Sequence, residues 1–448
     1  MLLSSERGAL PKTVLDPLGP GGPLATLAPA PSAAEAAAAA QAVPSQPDAP
    51  DSRSAAILAL HSVGAPSVLR AEPLGGRQTT ANGLLTYTAV DGDLAGLAAA
   101  NCQAPSNEAW LMGASTTVGR TAVLNIVNPS STAATVSLDL YGDQGVLPAP
   151  GAKGLLVPAG TKRSIVLAGL AADQKNLAVR LKSTGGPVAA SIQQSVLRGL
   201  TPGGVEILNP VAGPAVRQVI TGVDVQDPKL AADLTAQAGY ADAAAALQVV
   251  VSSGADALVQ VKVYGTSGQS PLPHGGVFTA KAGSVSQLPL TGLPAGTYTV
   301  EARSDSAFAA TARVVHGSKA GQRLDFGFSA AAEQLGSGSL IILPKDAASR
   351  LSFGVPEGRA KVALVPVTSA GKLLPVKTVD VAGGTTVLVD PLQLGGSSAA
   401  GFIASATGDP VYGAQLFTGS GKDNTAVSVL GIPRSVAGEQ SVNVILGY

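Results

Sequence analysis

The 448-residue chain has a single cysteine, Cys102, so no disulfide can close within it and a small disulfide-stapled scaffold is excluded. Aromatic residues are 3% of the sequence, with one tryptophan, Trp110, which leaves little material for platforms that stack sugars or bases. Charge is scarce too. Charged side chains make up 13%, against roughly 25% in ordinary soluble chains, and 29 basic residues balance 29 acidic ones. A nucleic-acid binder carries a basic excess or stripe; neither is visible. The three histidines, His61, His274 and His316, fall in separate segments. A histidine metal site needs two or three that converge, with carboxylate or thiolate help. These are read as surface or rim residues. No run approaches the roughly 18 apolar residues of a membrane span. The opening MLLSSERGALPKTVL lacks the basic, apolar, small-residue order of a secretory leader. On these grounds alone the chain is expected to be soluble and unexported.

Turn-formers, in contrast, are plentiful: 54 glycines and 32 prolines. Alongside abundant Val, Thr and Ser they answer the turn demand of many short strands. The clearest stretch is Val136 to Gly169. Val136, Leu138 and Leu140 alternate with Ser137, Asp139 and Tyr141, the period of a half-buried strand. Turns at Gly142–Gly145 and Pro158–Gly160 separate it from short strands at Gly154–Val157 and Ser164–Leu167. Such spacing is the signature of an all-β sandwich. The stretch occurs again 123 residues later: Val259–Gly265 matches Val136–Gly142. Gly145, Pro148, Pro150, Gly160 and Gly169 meet Gly268, Pro271, Pro273, Gly283 and Gly292 at the same offset. A looser copy runs from Lys361 through Gly371 to Gly384. The expected fold is therefore all-β, with tandem immunoglobulin-like antiparallel sandwich modules over 67–210, 211–335 and 336–448. Residues 1–66 are rich in Ala and Pro and are expected to form a disordered arm, with at most a marginal helix at Ala33–Val43. A short helix is also expected within Ala231–Ala246, separate strands at Tyr298–Ala302 and Ala309–Val315, and a last strand at Val442–Leu446.

Candidate chemistry is thin. Asp91-Gly92-Asp93 suggests calcium ligands, but Asp-Gly is a hairpin turn and the ligand spacing of a calcium loop is absent. Gly419-Ser420-Gly421-Lys422 lacks the upstream glycine and the following Ser or Thr of a phosphate loop. Gly336–Ser339 does not have the spacing of a nucleophile elbow. Asp139 and Asp143 could be pictured as an acid/base pair. The second copy has Lys262 and Thr266 there, so strand-face and turn roles fit better. Cys102 has no neighbouring base to activate it. Trp110 is read as a core anchor before a ligand platform.

The strings Glu108–Arg120 (EAWLMGASTTVGR), Leu124–Pro129 (LNIVNP) and Ser191–Val205 (SIQQSVLRGLTPGGV) resemble the actinobacterial domain-of-unknown-function family 5719. The resemblance covers most of the chain from about Ser67 onward. It implies an envelope-associated protein with no established activity, no cofactor and no catalytic residues to carry over. Members usually have an N-terminal membrane segment, absent here, and often a second cysteine near the position of Ala71 that would pair with the equivalent of Cys102. Within these strings Arg120 and Arg198 either order loops by bonding carbonyls and carboxylates or, with Trp110, line a ligand groove. The function expected is a non-enzymatic structural or adhesion protein outside the cytoplasm, with envelope glycan or another envelope protein as partner. The alternative is a carbohydrate-binding accessory module. Neither a metal nor nucleic acid is expected as a partner.

Overall fold

The computed structural model describes residues 80–419 and 425–434 without a break and, ahead of them, residues 1–5, 10, 12–18, 23–28, 54–61, 63, 64 and 66–72. Strands dominate, and the described helices are short. The first sandwich is built around the stretch that the sequence singles out. One sheet orders Gly145–Leu147, Ala134–Gly142, Leu177–Gly185 and Glu108–Ala114, with Leu155–Val157 also on Ala134–Gly142. The other orders Thr161–Val166, Arg120–Asn128, Ala189–Arg198 and Thr201–Leu208. The period-2 alternation sends Val136, Leu138 and Leu140 from one sheet against Leu124, Ile126 and Ile192 from the other. Each such aliphatic side chain, fully buried, contributes about 1.5–3 kcal/mol.

The second sandwich repeats this strand order with one difference. Its longest strand, Gly296–His316, serves both sheets. Its first part lies between Ala215–Val225 and Ala257–Gly265. Its second part lies between Ala246–Val251 and Asp325–Ala330. The two strands expected here are thus one. In the first sandwich the chain breaks at Gly185-Gly186-Pro187, where Gly185 has φ +83°. Proline removes a ladder donor and glycine permits the turn. Ser304-Asp305-Ser306 offers neither, so the strand crosses unbroken. The third sandwich follows the same plan. Its sheets are Ser339–Ile342, Ala399–Gly408, Arg359–Thr368 and Lys377–Ala382, and Thr385–Val389, Ala347–Val355, Tyr412–Gly419 and Val427–Gly431.

Three expectations shift. The arm contains described strands: Leu2–Ser5 pairs with Ser54–Ile57 and Thr80–Asn82, and Thr13–Pro17 pairs with Ala25–Ala28 and Ser67–Ala71. Leu2 packs with Leu340, Ile342, Val365 and Ile403, so apolar residues near the start cover the third sandwich. Residues 67–101 join neither sheet of the first sandwich. Ser67–Ala71 and Thr80–Asn82 take partners from the arm, and Leu84–Ala89 with Gly96–Asn101 forms its own hairpin. The helix expected after Ala231 begins earlier, at Pro228–Thr235, because Asp227 caps it by accepting from the N–H groups of Lys229 and Leu230 at 3.0 Å. Ala33–Val43 and Val442–Leu446 lie outside the described residues.

The three sandwiches meet at their last strands. Thr201–Leu208, Asp325–Ala330 and Val427–Gly431 converge with Gly96–Asn101 around the side chain of Asp325. This hub is dry: Leu97, Ala99, Asp325 and Ser428 have no exposed surface.

Candidate functional site

Both motif arginines, Arg120 and Arg198, lie at a joint between sandwiches. Arg120 opens one strand of the first sandwich, and Arg198 closes its antiparallel neighbour, in the register Arg120 opposite Val196. Both reach Asp242 of the second sandwich. Arg120 Nη2 is 2.5 Å from Oδ2, and Arg198 Nη1 is 2.8 Å from Oδ1. Arg198 also donates to the Gly239 carbonyl and lies 4.7 Å over the Tyr240 ring. Burial alone would raise the Asp242 carboxyl, but the two guanidinium groups overcome it and hold it at about 2. Arg313 lies nearby, donating from Nε to the Ala244 carbonyl at 3.2 Å. The strings that hold Arg120 and Arg198 therefore meet in space, and both arginines bond to a loop of the neighbouring sandwich.

Trp110 is placed differently from a platform. It is 2% exposed and stacks on Tyr141 at 5.5 Å. The Arg180 guanidinium lies 5.4 Å from its ring, and its Nε1 donates to Glu108 at 3.2 Å. With Met112, Val211, Val250, Val285 and Ala309 it forms an apolar cluster joining the first two sandwiches. Trp110, Arg120 and Arg198 thus all serve the same joint, at separate points.

The second and third sandwiches are joined around Glu301, 1% exposed. It accepts from Arg217 at 2.6 Å, Arg303 at 2.9 Å and the Tyr264 hydroxyl at 3.0 Å. Burial would raise its carboxyl, yet these partners hold it below the ordinary range. Arg303 continues to Glu357 of the third sandwich at 2.6 Å. Thr386 of the third sandwich donates to the Tyr264 carbonyl at 2.6 Å.

At the hub, Asp325 accepts four backbone N–H bonds. Leu97 and Val427 reach Oδ2 at 2.8 and 3.1 Å; Phe326 and Val205 reach Oδ1 at 3.0 and 3.3 Å. Glu206 accepts from the Ile207 N–H and the Ser428 hydroxyl, both at 2.9 Å. Ser428 in turn accepts from the Ala99 N–H at 3.1 Å. Among the described residues no cation is within ion-pair distance of either carboxyl. Burial pushes Asp325 up to about 8 despite its four donors. It drives Glu206 well above the carboxylate range, and the nearby Asp325 adds to the rise.

Beside the hub is a cleft of about 440 Å³ between all three sandwiches. Trp110, Met112, Leu208, Phe328 and Ile432 form much of its wall, and Cys102 stands on it, exposed. The remaining sequence candidates do not converge. Asp139 pairs with Lys153 at 2.5 Å, while Asp143 binds the Asn176 amide at 2.6 Å. His316 faces Asp224 at 3.0 Å, and Asp91 to Asp93 form a turn in which Gly92 has φ +77°. Residues 420–424 lie outside the described residues. Among the described residues no group of three His, Cys, Asp or Glu side chains could hold a metal ion.

Sequence reasoning missed Asp242, Glu301, Glu206 and Asp325. A signal existed for two of them. Glu206 and Asp325 are the sole charged residues in their strands, Thr201–Leu208 and Asp325–Ala330, and a lone charge in an apolar strand needs a buried partner set.

No curated protein matches this chain. Among solved structures, dimeric latent PorU from Porphyromonas gingivalis is similar at 9% identity with a TM-score of 0.14. That comparison covers 75% of this chain and 34% of PorU, so the chain spans about a third of that structure's length, and a likeness this weak carries no argument. The family model for "Family of unknown function (DUF5719)" matches residues 57–392, a span holding the three motif strings and the joints at Asp242 and Glu301, while Val427 and Ser428 of the hub lie beyond it. The chain belongs to the family of unknown function DUF5719.

Proposed function

We propose that this protein is a non-enzymatic structural or adhesion protein of the actinobacterial cell envelope, lying outside the cytoplasm and built of tandem copies of one sandwich. The observation that carries the reading is how its buried charge is used. Asp242 joins two sandwiches, Arg303 on buried Glu301 reaches Glu357 of the third, and Asp325 takes N–H donors from Leu97, Val205 and Val427. Groups of this kind in a catalytic cleft would point at a substrate; here they face one another and hold large surfaces in a fixed arrangement. The shared strand order of the three sandwiches supports the tandem origin. Partners would be envelope glycan or another envelope protein. Glycan binding by stacking draws no support from Trp110, whose ring is covered by Tyr141 and Arg180. No described helix is long and apolar enough to cross a membrane.

The test is protease treatment of intact cells expressing the chromosomal gene. Digestion without lysis, with the protein in the envelope fraction, is the expected result. Protection until lysis, with the protein in the soluble fraction, overturns the location and leaves a cytoplasmic scaffold.

A further inference from the structure

The hairpin of Leu84–Ala89 and Gly96–Asn101 has one strand at the hub and one at the surface. The Leu97 N–H points to Asp325 and the Ala99 N–H to Ser428, away from the hairpin partner. Strand residues alternate, so Gly96, Ala98 and Ala100 turn toward the outer strand, where they face Ala89, Tyr87 and Leu85. The Cys102 N–H bond to the Gly83 carbonyl, at 2.7 Å, has the same parity. Leu84, Thr86 and Thr88 therefore direct their backbone N–H and C=O groups outward. Among the described residues no backbone bond reaches them from another segment.

Natural sheets blunt such edges with lysine, proline, bulges or a cover. Leu84–Ala89 has no charge, no proline and no register shift. Its solvent face is apolar instead: Leu85 is 47% exposed and Tyr87 38%. Val90, just past the strand, is 78% exposed. Its partner strand is buried in the hub, with Leu97, Ala98 and Ala99 at most 1% exposed.

We propose that Leu84–Ala89 is a docking edge for the same strand of a second copy of this chain. The edge is self-complementary. An antiparallel two-fold centred on Thr86 sets Thr86 opposite Thr86 and Leu84 opposite Thr88, so each outward N–H and C=O finds its mate. The same register sets Leu85 against Tyr87 in both directions, an aliphatic–aromatic cross-strand pair. The strand itself carries no charge; the charge nearest the two-fold is the exposed carboxylate of Asp346, which accepts from the Thr86 hydroxyl at 3.1 Å, so the contact is expected to tighten as added salt screens the two copies of it. The product is a four-stranded sheet spanning two molecules. One strand edge buries little area, so the contact is weak in dilute solution and gains from crowding on a surface. The inference goes beyond the proposed function and does not depend on location.

Sedimentation equilibrium of the full chain, from about 10 µM to 1 mM, tests it. The wild type is expected to shift from monomer to dimer across this range. Thr86→Pro removes the central donor from each copy, whose N–H faces solvent in the monomer, together with the exposed hydroxyl bond to Asp346, and is expected to weaken the dimer roughly thirtyfold. Tyr87→Lys adds charge to the exposed face without touching the hairpin ladder and is expected to abolish the dimer, with an unchanged melting temperature. A wild type that stays monomeric throughout overturns the proposal, even if it captures a foreign peptide. So does a dimer that survives both substitutions.

Discussion

Asp242 and Asp325 carry the same side chain and respond to pH in opposite senses. Asp242 is held down to about 2 by Arg198 and Arg120. Its contribution is present above the unfolded value near 4 and is lost as pH falls through 2. Thermal unfolding between pH 2 and 5 is expected to show an acid loss of stability that Asp242→Asn diminishes. Removing Arg198 is more costly than removing a surface ion-pair partner, since its side chain is 8% exposed and stacked on Tyr240. Arg198→Ala is expected to cost about 2–3 kcal/mol by urea denaturation. Gly113 is similarly unforgiving. Its φ is +99°, and a Cβ there would come within 2.7 Å of the Phe328 ring. Gly113→Ala is expected to cost at least about 1–3 kcal/mol, read from the urea midpoint. At this scale the sequence was half legible. Arg120 and Arg198 stood out within motif strings, yet Asp242 sits in an alanine-rich stretch with nothing nearby to mark it as their shared partner.

The element that most departs from expectation is Gly296–His316. Its two halves read clearly as strands, because Tyr298, Val300 and Ala302 alternate and Phe308 to Val315 are buried without interruption. Continuity across Ser304–Ser306 was not readable, since it depends on which sheets flank each half. The crossing residues belong to neither ladder: Arg217 and Gln260 pair with Arg303, and Val251 with Phe308. Asp305→Pro is therefore expected to cost under about 1 kcal/mol, while Ala312→Pro, paired with both Leu247 and Ser329, is expected to cost about 3 kcal/mol or more. Equilibrium unfolding of the two variants separates them. Leu2–Ser5 was illegible for a different reason. Four residues carry no periodic signal, and pairing with residues 49 to 55 positions away leaves no local trace.

For the whole molecule, alkaline pH is the informative variable. Asp325 and Glu206 are both raised by burial at the point where the three sandwiches meet. A carboxyl raised in the folded state contributes stability that is full below about pH 4 and lost as pH rises through its folded value, about 8 for Asp325. The melting temperature is expected to fall between pH 6 and 9, and Glu206→Gln is expected to flatten that fall. A wild-type profile that is level or rises across this range would count against a protonated hub. The sandwiches themselves were visible in turn glycines spaced 123 residues apart, but the hub was not. It draws on Leu97, Val205, Asp325 and Val427, four points whose only common property is where the finished fold puts them.

The hub also bears on biosynthesis. Each sandwich can close its own sheets as it leaves the ribosome, but Asp325 and Glu206 wait for Val427 and Ser428, made more than a hundred residues after Asp325. Until then two acids stand without their full set of donors on surfaces meant to be dry. A chain stopped short of Val427 keeps that exposed, ill-solvated seam permanently. The last strand thus closes the seam, and a chain truncated before Val427 is expected to be digested by protease faster than the full chain.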